Sequence, residues 1–298
     1  MRNLLPDETQ AAGARSGPSE GALSLTALVR RHDRDRYQTA LFAPSDRREA
    51  LLALYAFNYE IARVRETVTQ PMLGQIRLQW WREVLDAAYA GAPPRHHQVV
   101  EPLTAAIREF PLSRELFDRL IDGRERDLVD EPPASLAALE DYAEASSVPL
   151  IHLALEALGA RTPDLDAIAR DVGIGYALAG LLRAMPFHAR AGRIYIPADI
   201  AARDGIDPAD YAAARATRGL RTAVRTIAEA AAQHLRATRA HRADIPPPAL
   251  AALLPAIIAS RYLARLERAG YDPFAPALGA PDPLQIWRLS FAAWRGRF

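Results

Sequence analysis

The chain contains no cysteine and no lysine, so all 37 of its basic side chains are arginine. Without cysteine there is no disulfide framework, thiolate metal site or thiol nucleophile. Without lysine there is no Schiff-base chemistry and no P-loop lysine. Charge of one sign is lacking too. The 37 basic and 36 acidic residues leave a formal net charge of +1, which argues against a general nucleic-acid binder. No Gly-rich nucleotide loop, Ser-His-Asp arrangement or internal repeat stands out. No apolar run approaches the roughly 20 residues of a spanning helix. The stretch "MRNLLPDETQAAGARSGPSEGA" over 1–22 lacks a signal peptide's apolar centre and reads as a flexible leader. The compartment expected is the cytoplasm.

What is present is helical. Half of the 298 residues are hydrophobic, enough for a large core. In "SDRREALLALYAFNYEIARV", Ser45 is the expected N-cap, with Asp46 and Glu49 in the first turn. Leu54, Phe57, Ile61, Val64 and Val68 recur at helical spacing, and Pro71 closes the stretch. The next helix, "MLGQIRLQWWREVLDAAYAG", ends on Gly91 with "APP" behind it. Further helices are predicted over 99–110, 112–130, 135–158, 164–185, 207–243, 247–269 and 283–295, punctuated by "EPP", "IPPP" and "GAPDP". The strand-like piece "GRIYIP" over 192–197 is too short to make a sheet. Residues 23–298 therefore read as one all-α domain.

Five segments in order resemble the squalene/phytoene synthase family: "LYAF" at 54–57, "QWWREVLDAAYAG" at 79–91, "LIDGRERDL" at 120–128, "GYALAGLLRAMPFHARAGRIYIPADI" at 175–200 and "YLARLERAGYDPF" at 262–274. The match runs across nearly the whole chain after about residue 23. The resemblance implies an isoprenoid-synthase helical bundle around a central cavity. Active members of the family condense two prenyl diphosphates with Mg²⁺ held by acidic motifs on facing helices. Carboxylates one turn apart share a helical face and hold hard cations that neutralise the leaving diphosphate.

Both motifs are degenerate here. The first, Asp-Asp-x-x-Asp in the family, falls on Ala62, Arg63, Val64, Arg65 and Glu66, so only Glu66 keeps a carboxylate. The second places Asn, Asp and Asp where this chain has Gly180, Ala184 and His188, although Arg183, Gly192, Arg193, Tyr195, Pro197 and Asp199 still match. Pro186 is expected to end or kink its helix near Met185. His188 then need not lie one turn beyond Ala184, and Mg²⁺ prefers oxygen ligands to imidazole in any case.

"AFNYEIARVRE", "GQIRLQWWREVL" and "LLRAMPFHARAGRIYIPADI" are similar to one branch of the family, the complex I assembly factor 6 group and its bacterial relatives. That resemblance implies a non-catalytic protein supporting assembly of respiratory NADH:quinone oxidoreductase, with a complex I subunit or assembly intermediate as partner and no cofactor. Two alternatives stand beside it. One is a prenyl-diphosphate condensing transferase, which needs Mg²⁺. The other is a carrier of isoprenoid or lipid.

Asn58, Glu60 and Glu66 suit a small polar site. The plainer reading pairs Glu60 and Glu66 with Arg63 or Arg65 at the surface, where such pairs contribute little. Arg63, Arg65, Arg183, Arg190 and Arg193 suit direct binding of an anion, although a lysine-free composition also yields Arg-rich helices. The candidate ligand or anion set is Asn58, Glu60, Arg63, Arg183, Arg193 and Tyr195, with no catalytic residue and no metal site expected. Asp122 and Asp127 belong either behind the old metal site or in helix-end ion pairs. His96 and His97 read as loop residues. In "HDRDRY", His32, Asp33 and Asp35 fit a helix start better than a catalytic cluster. The C-terminal "IWRLSFAAWRGRF" sets Trp287, Phe291, Trp294 and Phe298 among Arg288, Arg295 and Arg297. It suits a peripheral contact with the inner membrane or a partner, or else a last helix packed on the bundle.

Overall fold

The structure, a computed structural model, describes residues 24–238 and 245–296. The leader expected over 1–22, the end of the helix expected over 207–243, and Arg297 and Phe298 lie outside the described residues. Among the described residues there is no strand. In chain order the first helices are α1 (Leu25–His32), α2 (Arg34–Ala40), α3 (Ser45–Ala62), α4 (Pro71–Tyr89) and α5 (Val100–Glu109). They are followed by α6 (Arg114–Glu125), α7 (Leu136–Ala157), α8 (Pro163–Arg190), α9 (Ala198–Asp204) and α10 (Pro208–Ala212). The last are α11 (Arg218–Ala237), α12 (Leu250–Leu253), α13 (Pro255–Arg268), α14 (Pro276–Gly279) and α15 (Gln285–Trp294).

Three helices form the centre. α3 is buried at every position from Ala50 to Asn58, and α7 from Ser146 to Ala157. A helix apolar on all sides is enclosed on all sides. α8 packs most extensively on α7 and then on α11, with α13 also against it. α11 buries Leu220, Ala223, Val224, Ile227, Ala231 and Leu235, a single stripe at helical spacing. Glycine permits the closest crossings. A Cβ on Gly123 of α6 would stand 2.9 Å from the Ala145 carbonyl oxygen of α7. One on Gly173 of α8 would stand 2.6 Å from Val148 Cγ2 and 3.0 Å from Val148 Cα.

Several expectations need correction. Ser45 is the first residue of α3 rather than its cap. Pro44 takes that place in an extended conformation and provides no side-chain bond. The stretch from 207 is two helices, because Asp207 and Thr217 each accept a backbone N–H from the helix that follows. Between them Ala214 turns the chain at φ 55°. α8 does not stop at Met185 but runs through Pro186 to Arg190. Leu182, Met185 and Ala189 are all buried on its inner face, and that packing outweighs the lost hydrogen bond. One apolar stretch does reach spanning length. Pro247–Arg268 has a mean hydropathy of 1.4 in its best window, yet 72% of that window is buried in the bundle. It is a core segment, which passes the same test of length and composition. In "HDRDRY" the helix start is as read for the acids, since Asp33 accepts the Arg36 N–H and caps α2 with Asp35 in its first turn, but His32 is the last residue of α1.

Candidate functional site

The first degenerate motif lies where α3 ends. Ala62 is its last residue, Arg63 is the C-cap, and Val64–Thr67 tightens into a 3-10 turn. The side chains at these positions diverge. Asn58 is 5% exposed, with its Oδ1 buried and unpartnered. Glu60 Oε1 accepts a 3.5 Å bond from Arg63. Arg65 donates to both oxygens of Asp130 at 2.8 Å. Glu66, the one retained acid, is exposed on the turn. On the other flank His32 stacks on Tyr59 with ring centroids 4.4 Å apart.

The second motif is on α8. Because the helix continues through Pro186, Gly180, Ala184 and His188 follow one another by single turns on one half-buried face. His188 therefore does lie one turn beyond Ala184, contrary to the expectation from Pro186. A Cβ added to Gly180 would meet nothing within 4 Å, so packing does not require glycine there. The His188 ring lies against that of Tyr195, tilted by 44° with centroids 4.6 Å apart. Burial, with Arg193 adding to it, lowers its pKa to about 4, so its imidazole is neutral at physiological pH.

Near His188, Asp127 gathers three side-chain donors. Tyr142 and Tyr195 donate to Asp127 Oδ1 at 2.7 and 3.2 Å, and Arg124 donates to Oδ2 at 3.3 Å. Arg193 and Tyr195 line a cleft of about 220 Å³ with Asp127 and Tyr142. Asp122 is separate from this group and pairs with Arg82 at 2.6 Å. Arg183 points elsewhere, to Asp35 of α2, in a second cleft that includes Arg34, Arg261 and Tyr262. The candidate set Asn58, Glu60, Arg63, Arg183, Arg193 and Tyr195 is thus spread over separate places rather than gathered in one.

Between the two motif helices sits an arginine. Arg36 of α2 is ion-paired with Asp33 at 2.8 Å. It lies 4.8 Å from the ring centroid of Tyr176 on α8 and 5.9 Å from that of Tyr55 on α3. Burial works against its charge, but Asp33 and the two phenols hold its pKa above the ordinary arginine value. A magnesium cluster needs several oxygen ligands converging on one point. Here the six motif positions offer one exposed carboxylate, a guanidinium, an imidazole, two alanines and a glycine. The residues present do not fit such a cluster. Among the described residues no group of three or more His, Asp or Glu is arranged to hold a metal.

A third cleft, of about 370 Å³, opens between the end of α3 and α4. Glu60, Arg63, Arg77, Trp80, Trp81 and His97 line it. Sequence reasoning missed it. The Trp80-Trp81 pair is the one signal in the sequence, and it is the loop before α5 that brings His97 onto those rings, 5.6 Å from Trp80 and 5.7 Å from Trp81.

Comparison with known proteins accounts for this frame. The chain is 31% identical over 288 residues to NADH dehydrogenase (ubiquinone) complex I, assembly factor 6 of Bos taurus, covering 97% of this chain and 86% of that relative. Presqualene diphosphate synthase of Sinorhizobium fredii is 27% identical over 192 residues, covering 64% of this chain and 68% of the relative. The crystal structure of squalene synthase HpnC from Alicyclobacillus acidocaldarius superposes with a TM-score of 0.73 at 25% identity, over 84% of this chain and 94% of that one. A family model for squalene/phytoene synthase matches residues 29–295. The chain belongs to the squalene/phytoene synthase family.

Proposed function

We propose that this chain is a non-catalytic member of the family that supports assembly of a respiratory NADH dehydrogenase, complex I, at the membrane holding that complex. The observation that carries this reading is the pair of altered motifs. Ala62 and Arg63 on one helix, and Gly180, Ala184 and His188 on the other, stand where metal-binding side chains belong in the active enzymes, and Arg36 is packed between the two helices. Similarity to assembly factor 6 over nearly the whole chain supports the same role. The exposed face of α15, with Trp287 70% and Trp294 81% exposed, suits contact with a membrane surface.

Deleting the gene in its source organism tests the role: assembled complex I on native gels is expected to fall, and an unchanged amount overturns the proposal. The condensing-enzyme alternative draws on the retained Arg183, Tyr195 and Asp127. It is tested separately, by incubating purified protein with farnesyl and geranylgeranyl diphosphate, Mg²⁺ and NADPH. No C30 or C40 product is expected, and product above a heat-killed control would refute the non-catalytic assignment.

A further inference from the structure

One side of α4 is apolar where a helix facing water is ordinarily polar. Met72, Leu73 and Ile76 are 67%, 45% and 59% exposed. Leu73, Ile76 and Trp80 follow the i, i+3, i+7 spacing of a single helical stripe, with Met72 beside them. This stripe runs for about 10 Å, at 1.5 Å per residue, and enters the 370 Å³ cleft at Trp80.

The cleft is rich in donors. Arg77 makes one side-chain bond, to Thr67 Oγ1 at 2.5 Å, and Arg63 reaches Glu60 only at 3.5 Å. His97 Nδ1 accepts the Val99 N–H at 3.1 Å, so in the neutral ring the proton is on Nε2, which is free to donate. Glu60 is the one carboxylate among the lining residues, against the two guanidinium groups. Arginine suits carboxylate and phosphate oxygens, because its fork of donors matches them.

We infer that this stripe and cleft form a docking surface for a protein segment that is apolar along one side and acidic at one end. The inference rests on the proposed assembly role and specifies the chemistry of the partner. A free anion fills the cleft but leaves the stripe exposed. A membrane covers the stripe but does not reach into a cleft floored by Trp81, which is 4% exposed. An amphipathic segment with an acidic end satisfies both parts at once.

The test is selection of displayed random 16-residue peptides on the full-length protein, with counter-selection on the R63E/R77E variant. Enriched peptides are expected to share apolar residues at helical spacing and Asp or Glu near one end. They are expected to bind wild type about ten-fold more tightly than the double variant, and to lose affinity for Ile76→Asp. Exchanging their acids for Lys is expected to restore binding to R63E/R77E. Circular dichroism confirms that each variant is folded, and Arg77→Gln supplies a milder change if the double reversal does not fold. No enrichment over the counter-selection, or enrichment indifferent to peptide charge, overturns the inference. So does binding of phosphatidylglycerol vesicles that is lost in R63E/R77E, because it makes the face a lipid site. Loss of complex I on gene deletion is independent of all these outcomes, so the assembly role and the docking surface fail separately.

Discussion

Arg36 is a positive charge held inside the bundle, and among the described residues Asp33 is its one ion-pair partner, with side-chain exposures of 13% and 14%. Removing one member of a buried pair leaves the other without compensation. Asp33→Asn is expected to cost about 3–5 kcal/mol, and Asp33→Ala about 1 kcal/mol more, because it also loses the cap of α2. Urea unfolding midpoints measure both. His188 supplies a pH dependence of definite sign. Its folded pKa of about 4 lies below the unfolded value of 6.5. Above pH 6.5 neither state binds the proton, and the stability is complete. As pH falls from 6.5 towards 4 only the unfolded chain takes up the proton, so stability declines by at most about 3 kcal/mol and then levels off. His188→Phe is expected to flatten that decline. His152 shifts in the same direction, chiefly through burial, so the difference between wild type and variant isolates His188.

Two of the three glycines of α8 have opposite consequences. Gly173 lies against the backbone of Val148, whereas Gly180 faces open space. Gly173→Ala is expected to force α7 and α8 apart and to destabilise by about 1–3 kcal/mol. Gly180→Ala is expected to stabilise by about 0.5–1 kcal/mol, because alanine is the better helix former. Thermal unfolding of the two variants in parallel shows the contrast. The order of the long helices was legible in the sequence, since apolar spacing and Gly or Pro stops mark α3, α4 and α7. The continuation of α8 was not. Local propensity registers the cost of Pro186 but cannot register the burial of Leu182, Met185 and Ala189. The break at Ala214 was hidden as well, because a positive φ at alanine carries no sequence mark. Both degenerate motifs were readable from family spacing alone. That Arg36 stands between the motif helices was not, because the side chains it touches come from α3, α8 and the residue that caps α2.

Across the chain as a unit, the last helix is only sparsely covered by protein. Leu289 of α15 is wholly buried, while Trp287, Phe291 and Trp294 face outwards. Full-length protein is expected to sediment with anionic vesicles and a chain truncated after residue 283 to remain in the supernatant. Equal sedimentation removes the membrane contact. The same helix is fastened to the beginning of the fold. Gln285 donates to Asp35 at 3.0 Å and to Gln38 at 2.8 Å, and Asp35 also receives Arg183. Asp35 and Gln285 are 250 positions apart. At about 5–20 residues per second a ribosome takes roughly 12–50 seconds to make that interval. Throughout that time Asp35 and Gln38 of α2 lack the Gln285 side chain, and the contact that ties the two ends forms only when synthesis is nearly over. A transcript cut short before residue 285 therefore yields a chain whose incompleteness is exposed at its start, where quality-control proteases and chaperones can detect it.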